Sequence, residues 1–193
     1  LSPQAPAASP SSTTYTFDPD NPVQTIGGSF SSTSPVFEPG AYDQRESDEV
    51  FGASEPYLPL RSRDDVLVFQ TPPLETDVTV VGPITVRLFV SSTAVDTDFT
   101  AKLVDVYPPS ADFPTGFDMN VTDGILRTRY RDRPDRQQMM TPGEVYEIEI
   151  APFPTANVFK KGHRIRIDIS SSNFPRFDVN PNTGEPLGLN RRS

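Results

Sequence analysis

The chain has 193 residues, with 22 prolines, no cysteine, no tryptophan and a formal net charge of −9. This length fits one large all-β domain better than two ordinary domains. The lack of cysteine excludes disulfides, cysteine-ligated zinc and a cysteine nucleophile. A net negative chain without a large Lys/Arg cluster repels phosphate backbones, and no stretch approaches the ~20 apolar residues of a membrane span. We therefore expect neither a nucleic-acid nor a membrane partner.

The first residues of the chain are typical of a linker. Residues 1–14 are rich in Pro, Ser and Ala and carry no charged side chain, so they cannot bury a face and predict a disordered tail or linker. The chain begins at Leu1, without an initiator methionine or a signal-peptide pattern. We therefore expect a processed product or a piece of a longer protein, and its soluble compartment, cytoplasmic or secreted, stays open.

From Tyr15 to about Arg63 the chain is irregular, and prolines occur throughout it. Long loops of this kind are either functional or held down by another part of the protein. We expect this stretch to lack partners within a simple sandwich.

Beyond Asp64 the sequence is typical of β-structure, because apolar and polar residues alternate with a period of two and Gly/Pro turns separate the runs. In the last run we expect the isoleucines to face inward and Arg164, Arg166, Asp168 and Ser170 to face solvent. The predicted fold is an all-β antiparallel sandwich of the jelly-roll type over residues 15–193. The predicted strands are Val66–Phe69, Ile84–Val90, Thr100–Tyr107, Ile125–Tyr130, Glu144–Ile150 and Arg164–Ser170.

The residues that could carry chemistry are few. The single histidine, His163, follows a turn glycine at the start of a strand, where we expect it to satisfy a local hydrogen bond or to pack at the strand edge. No Gly-x-Ser-x-Gly elbow occurs, and Ser170, Ser171 and Ser172 have no flanking glycine. A serine-hydrolase triad is therefore not expected in this chain.

Two pairs of carboxylates are candidates for a metal or catalytic site. Asp96 and Asp98 are spaced like calcium ligands, but Ala101 stands where an EF-hand loop needs its glycine. A single calcium site or a turn that bonds backbone amides both remain open. Glu147 and Glu149 share one strand face, where charges are expected in any case, so they give no support for glycoside hydrolysis.

One dense polar stretch, residues 170–184, leaves the last predicted strand with two phenylalanines, an arginine, an aspartate and three asparagines. Asn and Asp support tight turns by bonding their own backbone. This stretch predicts either closure of the sandwich or docking against a partner domain.

The stretch FKKGHRIRIDISSSNFPRFD (residues 159–178) closely resembles the C-terminal signature of the CocE/NonD hydrolase family, which includes X-Pro dipeptidyl-peptidases, α-amino-acid ester hydrolases and cocaine-esterase-like enzymes. Four further stretches resemble the family in the same order. These are DPDNPVQTIGG (residues 18–28), GAYDQRE (40–46), DVLVF with the following PPL (65–74) and DTDFTAKLVDVYP (96–108).

The resemblance implies the C-terminal jelly-roll domain of a longer protein, whose separate α/β-hydrolase domain carries the catalytic triad. It implies no catalytic residue, cofactor or metal in this chain, and a parent that cleaves ester or peptide bonds through an acyl-enzyme. Peptidase, ester hydrolase and acylase activities all stay open. The jelly roll would brace the hydrolase domain and help to wall its pocket.

We expect the irregular stretch to lie over that hydrolase domain. The candidate interface residues are Phe30, Asp43, Gln44, Arg45, Phe174, Arg176 and Phe177. The alternative is an independent β-sandwich binding module for carbohydrate, which predicts a flat row of exposed tyrosines on one sheet.

Overall fold

The computed structural model describes residue 1, residues 12–29 and residues 38–188. Within these residues the regular structure consists of two 3₁₀ turns, Leu60–Ser62 and Thr128–Tyr130, and of β-strands. The strands are β1 Leu67–Gln70, β2 Val78–Gly82, β3 Val86–Val90, β4 Asp98–Tyr107, β5 Phe117–Arg127, β6 Tyr146–Ile150, β7 Thr155–Phe159 and β8 Arg164–Ser170. The described part of the chain holds no helix long and apolar enough to cross a membrane.

The strands pair in nested order, and every pair is antiparallel. β1 pairs with β8, β2 with β7, β3 with β6 and β4 with β5. β8 also pairs with β4, which gives a four-stranded sheet of order β1-β8-β4-β5 beside two two-stranded ribbons, β2-β7 and β3-β6. First-with-last pairing is the topology of a long hairpin wrapped into a jelly roll. The predicted all-β antiparallel fold is confirmed.

The main apolar core lies between the four-stranded sheet and the β3-β6 ribbon. Phe99, Ala101 and Ile169 face Ile148 and Ile150, and all five are buried. The predicted alternation of β6 is confirmed, because Ile148 and Ile150 point inward while Glu147 and Glu149 are exposed. Each such aliphatic side chain contributes roughly 1.5–3 kcal/mol on burial.

Three strands differ from the sequence prediction. β2 and β7 were not predicted, and β5 starts at Phe117, well before the predicted start at Ile125. β5 carries Asp118, Asn120 and Asp123, residue types that are depleted in strands. Asp118 and Asp123 bind arginines from other parts of the chain, and these tertiary partners override that propensity.

The predicted linker lies mostly outside the described residues. Of residues 1–14, the structure describes residues 1 and 12–14, and all four are exposed.

Candidate functional site: the covered polar face of the sheet

The outer face of the four-stranded sheet is polar and buried. The expectation that Arg166, Asp168 and Ser170 face solvent is wrong, because Arg166 is 0% exposed and the other two are buried. Inward-pointing isoleucines were predicted correctly, and Ile169 belongs to the main core. The polar face of the sheet, on the side away from these isoleucines, is covered by the irregular part of the chain and is shielded from solvent.

This irregular part, residues 22–29 and 38–66, is named the cover segment. Val23, Ile26, Leu60 and Val66 form a second apolar cluster within it. Backbone hydrogen bonds tie it to the rest of the domain: Thr25 N donates to Phe174 O over 2.7 Å. The expectation that this stretch lacks partners within the sandwich is therefore wrong for the described residues.

Gln44 is the central polar residue of the cover segment and is 0% exposed. Its amide nitrogen donates to the carbonyl oxygens of Ile26 over 2.9 Å and Tyr42 over 3.1 Å. Its side-chain oxygen accepts a 2.7 Å hydrogen bond from Lys102 Nζ of β4. One side chain thus joins two parts of the cover segment to the sheet.

A network of buried charges surrounds this contact. Arg166 Nη1 donates to Asp118 over 2.8 Å and Nη2 to Asp168 over 3.1 Å. Arg61 of the cover segment also binds Asp118. Removing one partner of such a buried pair leaves an uncompensated charge and is strongly destabilising. The cover segment is therefore held by ion pairs as well as by apolar contacts.

Burial shifts the protonation equilibria of this network. Desolvation lowers the pKa of Lys102, although the carboxylates of Asp123 and Asp168 oppose that shift. Desolvation likewise raises the pKa of Asp168, against the attraction of Arg166. Both charged forms are disfavoured by burial, so the network depends on its internal pairing.

A β-bulge places the acidic residues of β5 on this one face. Leu103 pairs with Thr122 and Val104 with Asn120, so Val121 has no partner opposite it. Asp118 and Asp123 are an odd number of residues apart and would point to opposite faces of a regular strand. With the bulge between them, both bind arginines of the covered face: Arg166 binds Asp118, and Arg176 binds Asp123.

The two neighbours of Gln44 lie closer to the surface. Asp43 is half-buried, forms a β-bridge with Met119 and accepts a 2.9 Å hydrogen bond from the backbone N of Asp118. Arg45 is exposed, and its backbone forms a bridge with Pro59. Within residues 43–45, Gln44 therefore anchors the backbone from the buried side, while Asp43 and Arg45 lie nearer to the surface.

Gly28 and Gly40 pair through their backbones, and this pairing is named the glycine neck. Gly28 N donates to Gly40 O over 2.8 Å, and Gly40 N donates back over 3.1 Å. Gly27 has φ +62°, and a Cβ there would lie 2.3 Å from Gly40 O. Only glycine fits this neck. The candidate Phe30 lies outside the described residues.

The C-terminal candidates Phe174, Arg176 and Phe177 contact two further aromatic residues, Phe51 and Phe153, and these five residues are named the aromatic patch. The rings of Phe51 and Phe174 are 5.8 Å apart. The Arg176 guanidinium lies 5.6 Å from the Phe153 ring centre and 5.1 Å from that of Phe177, while it also binds Asp123. Phe51 and Phe153 were not predicted from the sequence, since each is an isolated aromatic residue in a loop.

The residues considered for nucleophilic catalysis have structural roles. Ser172 Oγ accepts from Val23 N over 2.8 Å, and Ser171 bonds the Tyr15 hydroxyl over 2.7 Å. His163 precedes the first residue of β8 and Ser170 is its last residue, so the two are about 23 Å apart at the rise of an extended strand. Its Nδ1 is 2.8 Å from Asp105, as the predicted local hydrogen bond requires.

The aspartates considered for calcium are paired with arginines. Asp96 binds Arg129 over 2.7 Å and Asp98 binds Arg127 over 2.8 Å. Asn180 Nδ2 donates to both carboxylates over 2.8 Å. Within the described residues no group of three or more His, Cys, Asp or Glu could hold a metal ion. Burial raises the pKa of Asp98 despite its arginine.

The two glutamates on β6 form a solvated charge cluster. Arg87 lies 3.0 Å from Glu147 and 2.8 Å from Glu149, and all three side chains are at least half exposed. This is an ordinary outer strand face.

An all-β sandwich whose histidine, serines and carboxylates hold its own strands together has the character of an accessory domain. The family model for the X-Pro dipeptidyl-peptidase C-terminal non-catalytic domain matches residues 1–192. The chain belongs to this family.

Known proteins agree with this assignment. The chain is 44% identical over 174 residues to the cocaine esterase of Rhodococcus sp. (strain MB1 Bresler), covering 90% of this chain and 27% of the esterase. Its fold matches an aminopeptidase from a marine sediment Thaumarchaeota archaeon with a TM-score of 0.76 at 30% identity, over 95% of this chain and 29% of that one. It also matches an α-amino acid ester hydrolase with a TM-score of 0.65 at 31% identity, over 76% and 22% of the two chains. The chain thus spans about a quarter of the length of these relatives.

Proposed function

We propose that this chain is the C-terminal domain of a serine hydrolase acting on ester or peptide bonds, and that it braces the α/β-hydrolase domain of the same parent and helps to wall its pocket. Residues 1–14 serve as the linker and residues 15–193 as the domain. The aromatic patch is the observation that carries this proposal, because Phe51 and Phe153 are 47% and 54% exposed there. Such a patch beside a fixed guanidinium suits burial against another protein surface.

The candidate residues take different roles in this proposal. Phe174 and Phe177 contact the hydrolase domain, Arg176 holds their surface from within, and Asp43 and Arg45 lie at the rim of the interface. Phe30, outside the described residues, is part of the proposed interface as a sequence candidate only. Gln44 acts from inside the domain, because it is fully buried. It keeps the rim in place through its hydrogen bond with Lys102.

The space beneath the cover segment supports a structural role for the buried network. The cavity lined by Lys102, Asp123, Asp168 and Asn173 measures about 10 Å³. That is room for about one water molecule and for no larger ligand. The carbohydrate alternative also loses support, because Tyr42 alone among the six tyrosines is exposed, and it lies on the cover segment rather than on a sheet.

The proposal is tested in the full-length parent with Phe153→Ser, compared with Phe89→Ser as a matched control. Both side chains are exposed in this chain, but Phe89 lies on the charged face of the β3-β6 ribbon. We expect Phe153→Ser to lower kcat/KM for a p-nitrophenyl ester or an X-Pro-p-nitroanilide several-fold and to speed proteolysis between the domains. The control should change neither. Equal behaviour of the two variants would contradict the bracing role.

A further inference from the structure

The two ribbons that flank the sheet have outer faces of opposite character. On β3-β6 the outer face carries Arg87, Glu147 and Glu149 around Phe89, and the charges are paired in solvent. On β2-β7 the outer face carries Thr79, Val81, Ala156 and Val158, which are all exposed and uncharged. Cross-strand partners point to the same side, so these four side chains form one continuous surface.

This β2-β7 face is unusual for a surface that meets water. Val81 is 74% exposed, and Val158, across from Thr79, is 40% exposed. Solvent-facing strand positions are normally polar, as the β3-β6 ribbon shows. The charges of the β2-β7 ribbon lie at one end only, where Lys160 binds Asp77 over 2.9 Å. The face itself is therefore built for contact with another apolar surface.

The size of the face distinguishes between two occupants, a separate protein chain and another part of the same polypeptide. Two strands of five residues present about 16 Å by 10 Å, or roughly 160 Å². A stable dimer of separate chains needs on the order of 800 Å² per partner. A face this small is sufficient only as part of a larger contact, or between parts of one polypeptide, where the covalent link supplies a high effective concentration.

The face is also close to the aromatic patch. β7 starts at Thr155, two residues after Phe153. A surface that covers Phe153 and extends along β7 reaches Ala156 and Val158 next.

We infer that the outer face of the β2-β7 ribbon packs against the part of the parent polypeptide that lies outside this chain, as an extension of the aromatic patch. The inference rests on the proposed function for the identity of the occupant. It adds a second, aliphatic contact that the aromatic patch alone does not require.

Cysteine probes in the full-length parent test the inference, because this chain contains no cysteine of its own. Val81→Cys and Val158→Cys probe the face, and Phe89→Cys is the control on the other ribbon. Alkylation by iodoacetamide is followed by mass spectrometry of the peptide that carries each probe. Rates in denaturant give the reference for a fully accessible thiol.

We expect both probes on the β2-β7 face to react at least tenfold more slowly than the Phe89→Cys control in the folded parent. Rapid labelling at Val81→Cys and Val158→Cys overturns the inference. Slow labelling of all three variants overturns it as well, since protection is then not specific to this ribbon. Protection that is lost on dilution, together with a fall from dimer to monomer mass, identifies a second copy as the occupant and also overturns it.

A fourth variant separates this inference from the proposed function. Phe153→Cys probes the aromatic patch in the same parent. If Phe153→Cys is protected while Val81→Cys and Val158→Cys react quickly, the proposed docking stands and only the extension fails. If all of these probes react quickly, both fail.

Discussion

Lys102 Nζ donates a 2.7 Å hydrogen bond to the side-chain oxygen of Gln44, and both residues are buried. Lys102 belongs to the second-longest strand of the sheet, and Gln44 to a segment that contains no β-strand. This single contact therefore links the rigid part of the domain to its irregular cover. Several properties of the domain depend on this link and on its charged neighbours.

Replacing Gln44 by alanine should destabilise the domain. The variant removes the acceptor for Lys102 and the donor for the carbonyls of Ile26 and Tyr42. Because these groups are left buried without partners, we expect a loss of about 2–4 kcal/mol in the free energy of unfolding. Urea denaturation measures it. Arg45→Ala is the neighbouring control, since Arg45 is exposed, and an equally small effect at both positions would contradict the role of Gln44.

The burial of Arg166 is tested against that of Arg87, because each arginine lies on a strand and contacts two acidic side chains. Arg166→Met leaves Asp168 buried without its arginine and leaves Asp118 with Arg61 alone, which should cost about 3–5 kcal/mol of stability. Arg87→Met removes a solvated pair and should leave the denaturation curve nearly unchanged. Parallel chemical denaturation of the two variants checks the contrast. A mild effect at Arg166 would mean that the face is hydrated.

The lowered pKa of Lys102 predicts a rise in stability at alkaline pH. The unfolded chain keeps this proton up to about the ordinary lysine pKa of 10.5, whereas the folded chain releases it at lower pH. Between the two pKa values the unfolded state binds more protons, so stability increases with pH by at most about 1.4 kcal/mol per pH unit. Lys102→Met should lack this rise. The free energy of unfolding of the unaltered chain and of Lys102→Met is measured by denaturation from pH 7 to pH 10.5. Parallel pH dependence of the two chains would contradict this prediction.

The glycine neck is tested by two alanine substitutions at positive φ. Gly27→Ala forces a Cβ to within 2.3 Å of Gly40 O, whereas nothing lies within 4 Å of a Cβ at Gly143, where φ is +82°. Both variants bear the conformational cost of about 1–2 kcal/mol, and Gly27→Ala bears the clash in addition. We expect the greater loss of thermal stability at Gly27. Equal losses would show that the neck can shift without cost.

The sequence predicted the strands in which aliphatic residues occupy every second position. β3, β6 and β8 each have aliphatic residues on the core face, and this pattern is visible without any structure. It did not reveal that the other face of β8 is also buried, because Arg166 and Asp168 look like solvent residues until their partners are known. Those partners come from a different strand and from an irregular segment, which period-two patterns do not connect.

The candidate site was predictable only in part, for a related reason. Residues 170–184 were singled out by their mixture of aromatic, charged and turn-forming residues, and Arg176 and Phe177 do contact each other. Phe51 and Phe153 join them through long-range packing. The uncharged β2-β7 face was missed because both strands are short and β7 contains an asparagine and an alanine.

The nested pairing of strands has a consequence for the synthesis of this domain. β1 forms its hydrogen bonds along β8, so the sheet cannot close until about a hundred further residues have left the ribosome. Until then the apolar side of β1 lacks its core neighbours from β8, and the cover segment lacks the completed sheet on which it lies. A nascent chain therefore has few stable partly folded states, and we expect the domain to fold cooperatively once β8 has been synthesised. A longer protein that contains this domain must keep these apolar residues from aggregating while translation finishes.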